Sequence, residues 1–225
     1  GIAENLLACS GYDEISLSSL STSDFSGLRD LTDGLLKITE EKKIGLSLPS
    51  LRIDNFSLEL MEKVQKVRKT GITFAPEAGT QRLRDVINKN INEEDIINST
   101  NMLFRGGWTN VKLYFMIGLP TETMDDVCGI ADLAQKVLEV YFAIPKEERA
   151  KQINITVSTS SFVPKPFTAF QWAKQDTRDM LIEKQNTLKS AIKSKRIRYN
   201  WHDNKTSYLE GVFARGDRRL SEVII

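Results

Sequence analysis

Short apolar runs rich in β-branched residues alternate along this chain with longer segments of helical period. The runs that predict strands cover residues 14–20, 44–48, 71–75, 110–117 and 153–159, followed by a shorter one at 196–201. Apolar residues recur at helical spacing between them, at Leu28, Leu31, Leu35 and Ile38, at Leu60, Met61, Val64 and Val67, and most clearly at Ile130, Leu133, Ala134, Val137, Leu138 and Tyr141. Strands separated by helices favour parallel pairing through crossover connections. The pattern therefore predicts an α/β fold.

The spacing of these strands suits repeated βα units. A strand recurs roughly every thirty to forty residues, as in an α/β barrel or an open doubly wound sheet. Pro49, Pro76, Pro120 and Pro164 each fall just past the predicted carboxyl end of a strand. In both architectures the loops at that edge of the sheet carry the binding and catalytic groups. We therefore search these loops for the functional site.

Composition and charge exclude several classes of protein. The chain has 225 residues, with 31 Lys plus Arg against 30 Asp plus Glu, which does not favour nucleic-acid binding or a polybasic membrane patch. No apolar run approaches the roughly eighteen residues that span a bilayer, so we expect a cytoplasmic protein. The two cysteines, Cys9 and Cys128, lack the spacing of a disulfide framework or a metal site. We predict that this chain alone provides no metal site.

Both ends of the chain are apolar or helical in character. The sequence opens at Gly1, runs directly into a helical pattern, and closes on Val223, Ile224 and Ile225. Natural termini are usually polar and poorly ordered. We expect this chain to be a segment of a longer polypeptide.

A carboxylate lies in the loop predicted after the third strand. Glu77 belongs to the segment 74–80, in which Gly79 permits a tight turn and Thr80 is available as a helix N-cap. One interpretation holds Glu77 at the mouth of the sheet as a ligand for a bound molecule. The other makes it a first-turn acid that is stabilised by the helix dipole. Arg82 and Arg84, one turn beyond Glu77, are expected to be solvated or paired helix residues.

Two further loops at the same edge have unusual composition. The segment 113–123 is a strand whose exit contains Gly118, where the backbone can approach a flat ligand; Thr123 and Asp126 then form a capping-box pattern. The loop 160–172 is aromatic and too apolar for an ordinary surface loop. We expect it to be covered by a ligand or by another part of the protein.

Together these segments resemble the radical S-adenosylmethionine superfamily. The similar runs are TFAPEAGT at 73–80, GLPTET at 118–123, FVPKPFT at 162–168 and ARGDRR at 214–219. They are most similar to the Fe–S oxidoreductases of the branch linked to cobalamin-binding domains. The superfamily's CxxxCxxC motif, whose thiolates hold a four-iron four-sulfur cluster, is absent from this sequence.

The resemblance implies a fold and a division of the chain. It implies a partial TIM-type (βα)6 barrel of parallel strands with outer helices, in which the first strand is missing. Residues 1–200 would form the core barrel with strands two to six, and residues 201–225 a C-terminal extension at the start of a following region. The missing N-terminal part of the same polypeptide would be its partner.

The resemblance also implies which residues bind the cofactor. Ser18 and Ser19 stand where relatives have a Gly-Gly-Glu motif that contacts the methionine amino group, although the acid is missing here. Glu77 would hold ribose or methionine polar atoms, since its two oxygens suit a diol. The remaining positions pack against adenine or contact its edge through the backbone: Ile117, Gly118 and Val163.

The implied activity is reductive cleavage of S-adenosylmethionine to a 5′-deoxyadenosyl radical. The cofactors would be S-adenosylmethionine and a four-iron four-sulfur cluster in the parent protein, with cobalamin from a neighbouring domain as an optional addition. This chain would supply most of the nucleoside pocket but no cluster ligands, so we expect it to be inactive alone. Its substrate is not specified by these motifs.

Arg52 and two other classes of function remain open. Arg52 follows the strand predicted at 44–48 and is placed either to bind a substrate carboxylate bidentately or to form a salt bridge with Asp54 or Glu77. One alternative function is an α/β-barrel enzyme that uses Glu77 as general base and Arg52 as anion clamp. The other is a non-catalytic scaffold module.

Overall fold

The computed structural model describes residues 1–17, 25–47 and 71–225. In the first two of these regions, β1 (Glu14–Ser16) pairs in parallel with β2 (Gly45–Ser47), and Ile15 lies opposite Leu46. Two helices accompany this pair, α1 (Ile2–Ser10) and α2 (Leu28–Lys42). The strand predicted at 14–20 is observed to Ser16, and residues 18–20 lie outside the described part.

A four-stranded sheet follows, with strand order equal to chain order. Its strands are β3 (Ile72–Glu77), β4 (Asn110–Ile117), β5 (Asn154–Ser161) and β6 (Ile197–Trp201). The helices are α3 (Gln81–Val86), α4 (Glu93–Arg105), α5 (Met124–Ala143), α6 (Arg178–Ala191), α7 (Asn204–Arg215), a 3₁₀ turn at Arg218–Leu220 and α8 (Ser221–Ile224). Every connection between neighbouring strands contains at least one helix, as crossover connections require. The predicted α/β class of parallel strands with surrounding helices is confirmed and is consistent with part of a TIM-type barrel.

The chain forms two compact units. One comprises Gly1–Ala75, Glu93–Lys112 and Val137–Ile155, and the other comprises Pro76–Asn92, Leu113–Lys136 and Thr156–Ile225. The second unit contains the described members of the predicted site. The proposed separation of residues 201–225 from the barrel core stays a prediction.

The helical stripes were predicted with mixed success. All six predicted apolar residues of α5 are buried, from Ile130 to Tyr141. In α2, however, Leu31 is exposed, and the buried face includes Thr32 and Thr39. Threonine can occupy a buried helix face because its hydroxyl is able to bond a preceding carbonyl, as Thr39 does to Leu36 at 3.4 Å. The stripe predicted in residues 60–67 lies outside the described residues.

The carboxyl end of β3 was predicted two residues too early. The strand continues through Pro76 and ends at Glu77, so Pro76 does not terminate it. Proline is tolerated on an edge strand, where its missing N–H costs no ladder bond, and β3 is at the edge of its sheet in the described structure.

Among the described residues, no helix combines the length and apolar character needed to cross a membrane.

Candidate functional site

The loops that follow β3, β4 and β5 meet in one small apolar cluster. Its buried members are Ala78, Leu83, Leu119 and Phe162. The ends of β4 and β5 are also joined by a hydrogen bond of 2.8 Å from the Phe162 N–H to the Ile117 carbonyl. The structure thus brings together three of the loops that the sequence singled out.

Glu77 is the last residue of β3 and has a strained backbone. Its φ of 68° is left-handed, which is unfavourable for a residue with a side chain. Helix α3 begins four residues later, at Gln81. The interpretation of Glu77 as a first-turn acid of that helix is therefore wrong.

The carboxylate of Glu77 is half-buried and paired with a lysine. Its Oε1 lies 3.5 Å from the Nζ of Lys89. Burial raises the pKa of Glu77 above its ordinary value, and the Lys89 ammonium opposes that rise. The pair places one anion and one cation side by side next to the apolar cluster.

The turn after Glu77 is anchored to the start of α5. Thr80 is the N-cap of α3, as predicted: its Oγ1 accepts the Leu83 N–H at 3.3 Å and donates to Asp126. A side chain at Gly79 would clash with backbone atoms of α5 at Asp126 and Ile130. Glycine is needed there because the turn lies directly against the helix.

Asp126 is the buried centre of this anchor. Besides the Thr80 hydroxyl, its carboxylate accepts hydrogen bonds from Arg82 and from the N–H and Oγ1 of Thr123, both at 2.8 Å. Burial alone would raise the pKa of Asp126, but these donors outweigh it and lower that pKa to about 2. The predicted capping box of Thr123 and Asp126 is confirmed.

Gly118 needs its glycine for backbone and packing reasons. Its φ is 81°, and an added Cβ would lie 3.1 Å from Asp176 Oδ2 and 3.3 Å from a methyl of Leu181. The side on which a flat ligand was expected to approach is thus occupied by α6 and the loop before it. The N–H of Gly118 donates to Glu122 Oε2 at 2.7 Å.

A buried ionic cluster lies behind this glycine. Lys184 on α6 donates to Glu122 at 2.7 Å and to Asp176 at 2.6 Å. The side chain of Glu122 is 1% exposed and that of Lys184 is 8% exposed. Burial raises the pKa of Glu122, against the opposing bonds from Lys184 and Gly118. Burial alone would lower the pKa of Lys184, yet its bonds to the two carboxylates raise it, so the cluster holds two acids around one cation.

A cavity of about 510 Å³ opens beside the ionic cluster. Its wall includes Gly118, Pro120, Met124, Met180 and Lys184. The cavity therefore joins the exit of β4 to the first turns of α5 and α6.

The other predicted residues are placed as follows. Ile117 and Val163 are buried, so their side chains serve packing, and their contact with a nucleoside stays a prediction. Ser18, Ser19 and Arg52 lie outside the described residues. These three assignments also stay predictions.

The aromatic loop after β5 is only partly covered. Phe162 is buried and meets Phe170 edge-to-face at 6.2 Å. By contrast, Phe167 and Trp172 are 98% and 85% exposed. The predicted cover over this loop stays a prediction.

Lys89 and Lys184 were missed as site residues. Lys184 did leave a signal, because Leu181, Lys184, Gln185 and Leu188 share one buried helical stripe. A lysine within an apolar stripe must have a buried anionic partner. Lys89 follows a short helix within a polar segment and left no comparable pattern.

Comparison with known proteins identifies the family. The model of the Radical SAM superfamily matches residues 2–134. The chain belongs to the radical SAM superfamily. The chain is also 31% identical over 223 residues to the uncharacterized protein MJ0966 of Methanocaldococcus jannaschii, covering 99% of this chain and 46% of that relative.

One solved structure has a similar fold. The archaeal Methanocaldococcus infernus Elp3 with N-terminus deletion (1–46) superimposes with a TM-score of 0.59 at 15% identity. The match covers 94% of this chain and 57% of that one, and it concerns the fold. The chain therefore spans about half the length of both relatives. Neither comparison bears on cobalamin, so the cobalamin-linked branch stays a prediction.

The radical SAM family implies S-adenosylmethionine and a four-iron four-sulfur cluster. Such a cluster needs three or four convergent thiolates, and this chain has two cysteines, the exposed Cys9 and the half-buried Cys128. Within the described ranges, no group of three His, Cys, Asp or Glu side chains is arranged to hold a metal. The residues of this chain do not fit the cluster. The Glu77 and Lys89 pair does fit the polar groups of S-adenosylmethionine.

Proposed function

We propose that this chain provides most of the S-adenosylmethionine-binding surface of a radical SAM oxidoreductase. The observation that carries the proposal is the ion pair of Glu77 and Lys89 at the carboxyl end of β3. The cluster ligands would lie in another part of a longer polypeptide, which is supported by the missing CxxxCxxC motif and by the greater length of the relatives.

The chemistry of this pair suits the amino-acid end of the cofactor. S-Adenosylmethionine carries an α-ammonium and an α-carboxylate on one carbon, together with a ribose diol. Glu77 would accept from the ammonium or the diol, and Lys89 would donate to the carboxylate. Partial burial strengthens both contacts because the local dielectric is lower than in water.

The adjacent strand ends would hold the nucleoside. Adenine would pack at Ile117 and be contacted at its edge by the backbone of Val163, while the apolar cluster around Leu119 and Phe162 would exclude water. Gly118 is left out of this contact because Asp176 and Leu181 occupy the space beside it. When bound, S-adenosylmethionine would supply a sulfonium for radical chemistry that needs an electron from a cluster held outside this chain. The role of this chain is to bind and orient the cofactor, and its substrate is open.

Replacing Glu77 with Gln tests the proposal. The amide keeps the size of the side chain but removes charge-assisted acceptance, so we expect the affinity for S-adenosylmethionine to fall by roughly 1.5 to 3 kcal/mol, about tenfold or more. The melting temperature should change little, because the amide keeps the size of the side chain and the burial that raises the pKa of Glu77 offsets the pairing with Lys89. Calorimetric titration of the cluster-loaded complete polypeptide measures the affinity.

Glu210→Gln is the matched control for that measurement. Glu210 pairs with Lys165 at an exposed site, so the same charge change there should leave the affinity unchanged. An unaltered affinity in Glu77→Gln would show that Glu77 is not a cofactor ligand.

Glu77→Gln also distinguishes cofactor binding from the alternative in which Glu77 is a general base. The raised pKa of Glu77 is the one observation that favours this alternative. A general base would lose turnover in Glu77→Gln while cofactor affinity stayed normal. A non-catalytic module would show neither effect.

Replacing both cysteines tests where the cluster is held. In the complete polypeptide, we expect Cys9→Ser with Cys128→Ser to bind a full complement of iron and sulfide after anaerobic reconstitution. The reason is that the two thiols of this chain do not fit a cluster site. Iron and sulfide analysis beside the unaltered protein decides it, and loss of the cluster would place a ligand in this chain.

A further inference from the structure

We infer that Arg84 is a positioning residue. It holds the side chains of Glu77 and Lys89 at the relative position that receives the amino-acid end of the cofactor. The inference rests on the proposed function and assigns a role to a residue that touches neither the cofactor nor the reacting atoms. It stands on the hydrogen bonds of Arg84 on both sides of the pair.

The side chain of Arg84 fixes the turn that follows Glu77. Arg84 is 0% exposed, which is exceptional for a guanidinium. Its Nη1 donates to the carbonyls of Ala78 at 3.0 Å and Gly79 at 3.3 Å, and its Nη2 donates to Gln81 Oε1 at 3.1 Å. These carbonyls belong to the two residues directly after Glu77.

The main chain of Arg84 fixes the position of Lys89. Its carbonyl accepts the N–H of Lys89 at 2.8 Å. Asn88, which directly precedes Lys89, has a left-handed φ of 54°. This backbone conformation turns the chain back after α3. One residue thus contacts the backbone on both the Glu77 side and the Lys89 side.

The strain at Glu77 explains why such a clamp is needed. A left-handed φ at a residue with a side chain persists where surrounding contacts over-determine it. The planar guanidinium reaches the carbonyls of Ala78 and Gly79 through Nη1 and the side chain of Gln81 through Nη2, whereas a lysine ammonium has a single nitrogen and cannot hold both groups in this way. Without the guanidinium, we expect the turn to relax and the Glu77 carboxylate to move away from Lys89.

A double-mutant cycle in the complete polypeptide tests this role. The probe is S-adenosylhomocysteine, which has the same amino-acid group and ribose but requires no reductive cleavage. We expect Arg84→Lys to lower its affinity at least tenfold by calorimetry. In a background that already carries Glu77→Gln and Lys89→Met, the same change should have almost no further effect. Arg105→Lys, at an exposed ion pair with Glu148, is the control and should bind normally.

A second measurement does not depend on a ligand. Carbon NMR titration of the Glu77 carboxyl should show that Lys89→Met raises its pKa in the unaltered protein, because the opposing ammonium is removed. In Arg84→Lys the same change should shift that pKa much less, because the relaxed turn has already moved the two groups apart. An equal shift in both backgrounds would overturn the inference, even if Glu77→Gln had already refuted the proposed function.

The remaining outcomes are also decisive. Equal loss of affinity in both backgrounds would make Arg84 a general stabilising residue and overturn the inference. If Arg84→Lys melts more than about five degrees early, the cycle is repeated with Arg84→Gln. Failure of both variants to fold would show that Arg84 serves the fold rather than the pair. Normal affinity of the Glu77→Gln and Lys89→Met background would instead refute the proposed function.

Discussion

Replacing Lys184 with Met is expected to destabilise the protein by about 3 to 5 kcal/mol. The ammonium is the shared donor to Glu122 and Asp176, at 2.7 and 2.6 Å. Methionine fills a similar volume but leaves two carboxylates together, one of them almost fully buried, without their cation. Urea unfolding at neutral pH measures the loss, through the midpoint and the slope.

The loss of stability in Lys184→Met should depend on pH in a direction that follows from the pKa of Glu122. Glu122 already has a raised pKa in the folded protein, and removing Lys184 should raise it further. A carboxyl whose pKa is higher in the folded than in the unfolded state reduces the free energy of unfolding least when the pH is below its unfolded-state pKa. The reduction grows as the pH rises. The deficit of Lys184→Met should therefore shrink as the solution is acidified.

Two variants test the cause of that deficit. Adding Glu122→Gln and Asp176→Asn to Lys184→Met should recover much of the stability, because the charges that lost their partner are gone. Lys189→Met, also on α6 but at an exposed cation–π contact with Trp201 at 5.7 Å, should cost at most about 1 kcal/mol. Equal destabilisation by Lys184→Met and Lys189→Met would mean that the ionic cluster contributes little.

Replacing Asp126 with Ala should cost about 3 kcal/mol of unfolding free energy. The change removes the common acceptor for Thr80, Arg82 and Thr123, and it leaves their donors partly buried without that partner. Because this anchor joins the turn after β3 to α5, the loss should appear as a lower urea midpoint. The neighbour Asp125, in the same first turn of α5, is the control: Asp125→Ala should cost roughly 0.5 kcal/mol through the helix dipole.

Acidification should lower the stability of the unaltered protein more than that of Asp126→Ala. The pKa of Asp126 is lowered from 3.8 to about 2, so its contribution is complete above 3.8 and disappears as the pH falls through about 2. That difference corresponds to about 2 kcal/mol at 1.36 kcal/mol per pKa unit. Asp126→Ala should lack this acid-sensitive component, and parallel acid titrations of both proteins would contradict the assignment.

Local patterns predicted the elements better than the site. The apolar stripe of α5 and the alternation in β4 were sufficient because burial on one face follows directly from helical or strand period. Pro76 misled the prediction, since a proline ends a central strand but is accepted at an edge. Which strand forms an edge depends on pairing partners that are distant in sequence.

The partners of the site residues were beyond local pattern for the same reason. Glu77 was identified as a candidate from its loop, but its pairing with Lys89 depends on how the chain turns after α3. Arg84 was expected to be a solvated or paired helix residue, and it is buried because the turn after β3 packs against α5. Lys184 left a partial signal, since a lysine on the buried helix face of Leu181 and Leu188 requires a buried counterion, but the local pattern does not identify Glu122 or Asp176 as that partner.

A residue in the left-handed conformation lies at the end of β3 or in the loop that follows β4 or β5, namely Glu77, Gly118 and Phe167. Such a backbone state is narrow, so much of the conformational entropy of these loops is lost when the protein folds rather than when a molecule binds. A ligand that contacts them at the strand ends therefore has little ordering cost to overcome. Modest numbers of polar contacts would then be enough for useful affinity at this edge of the sheet.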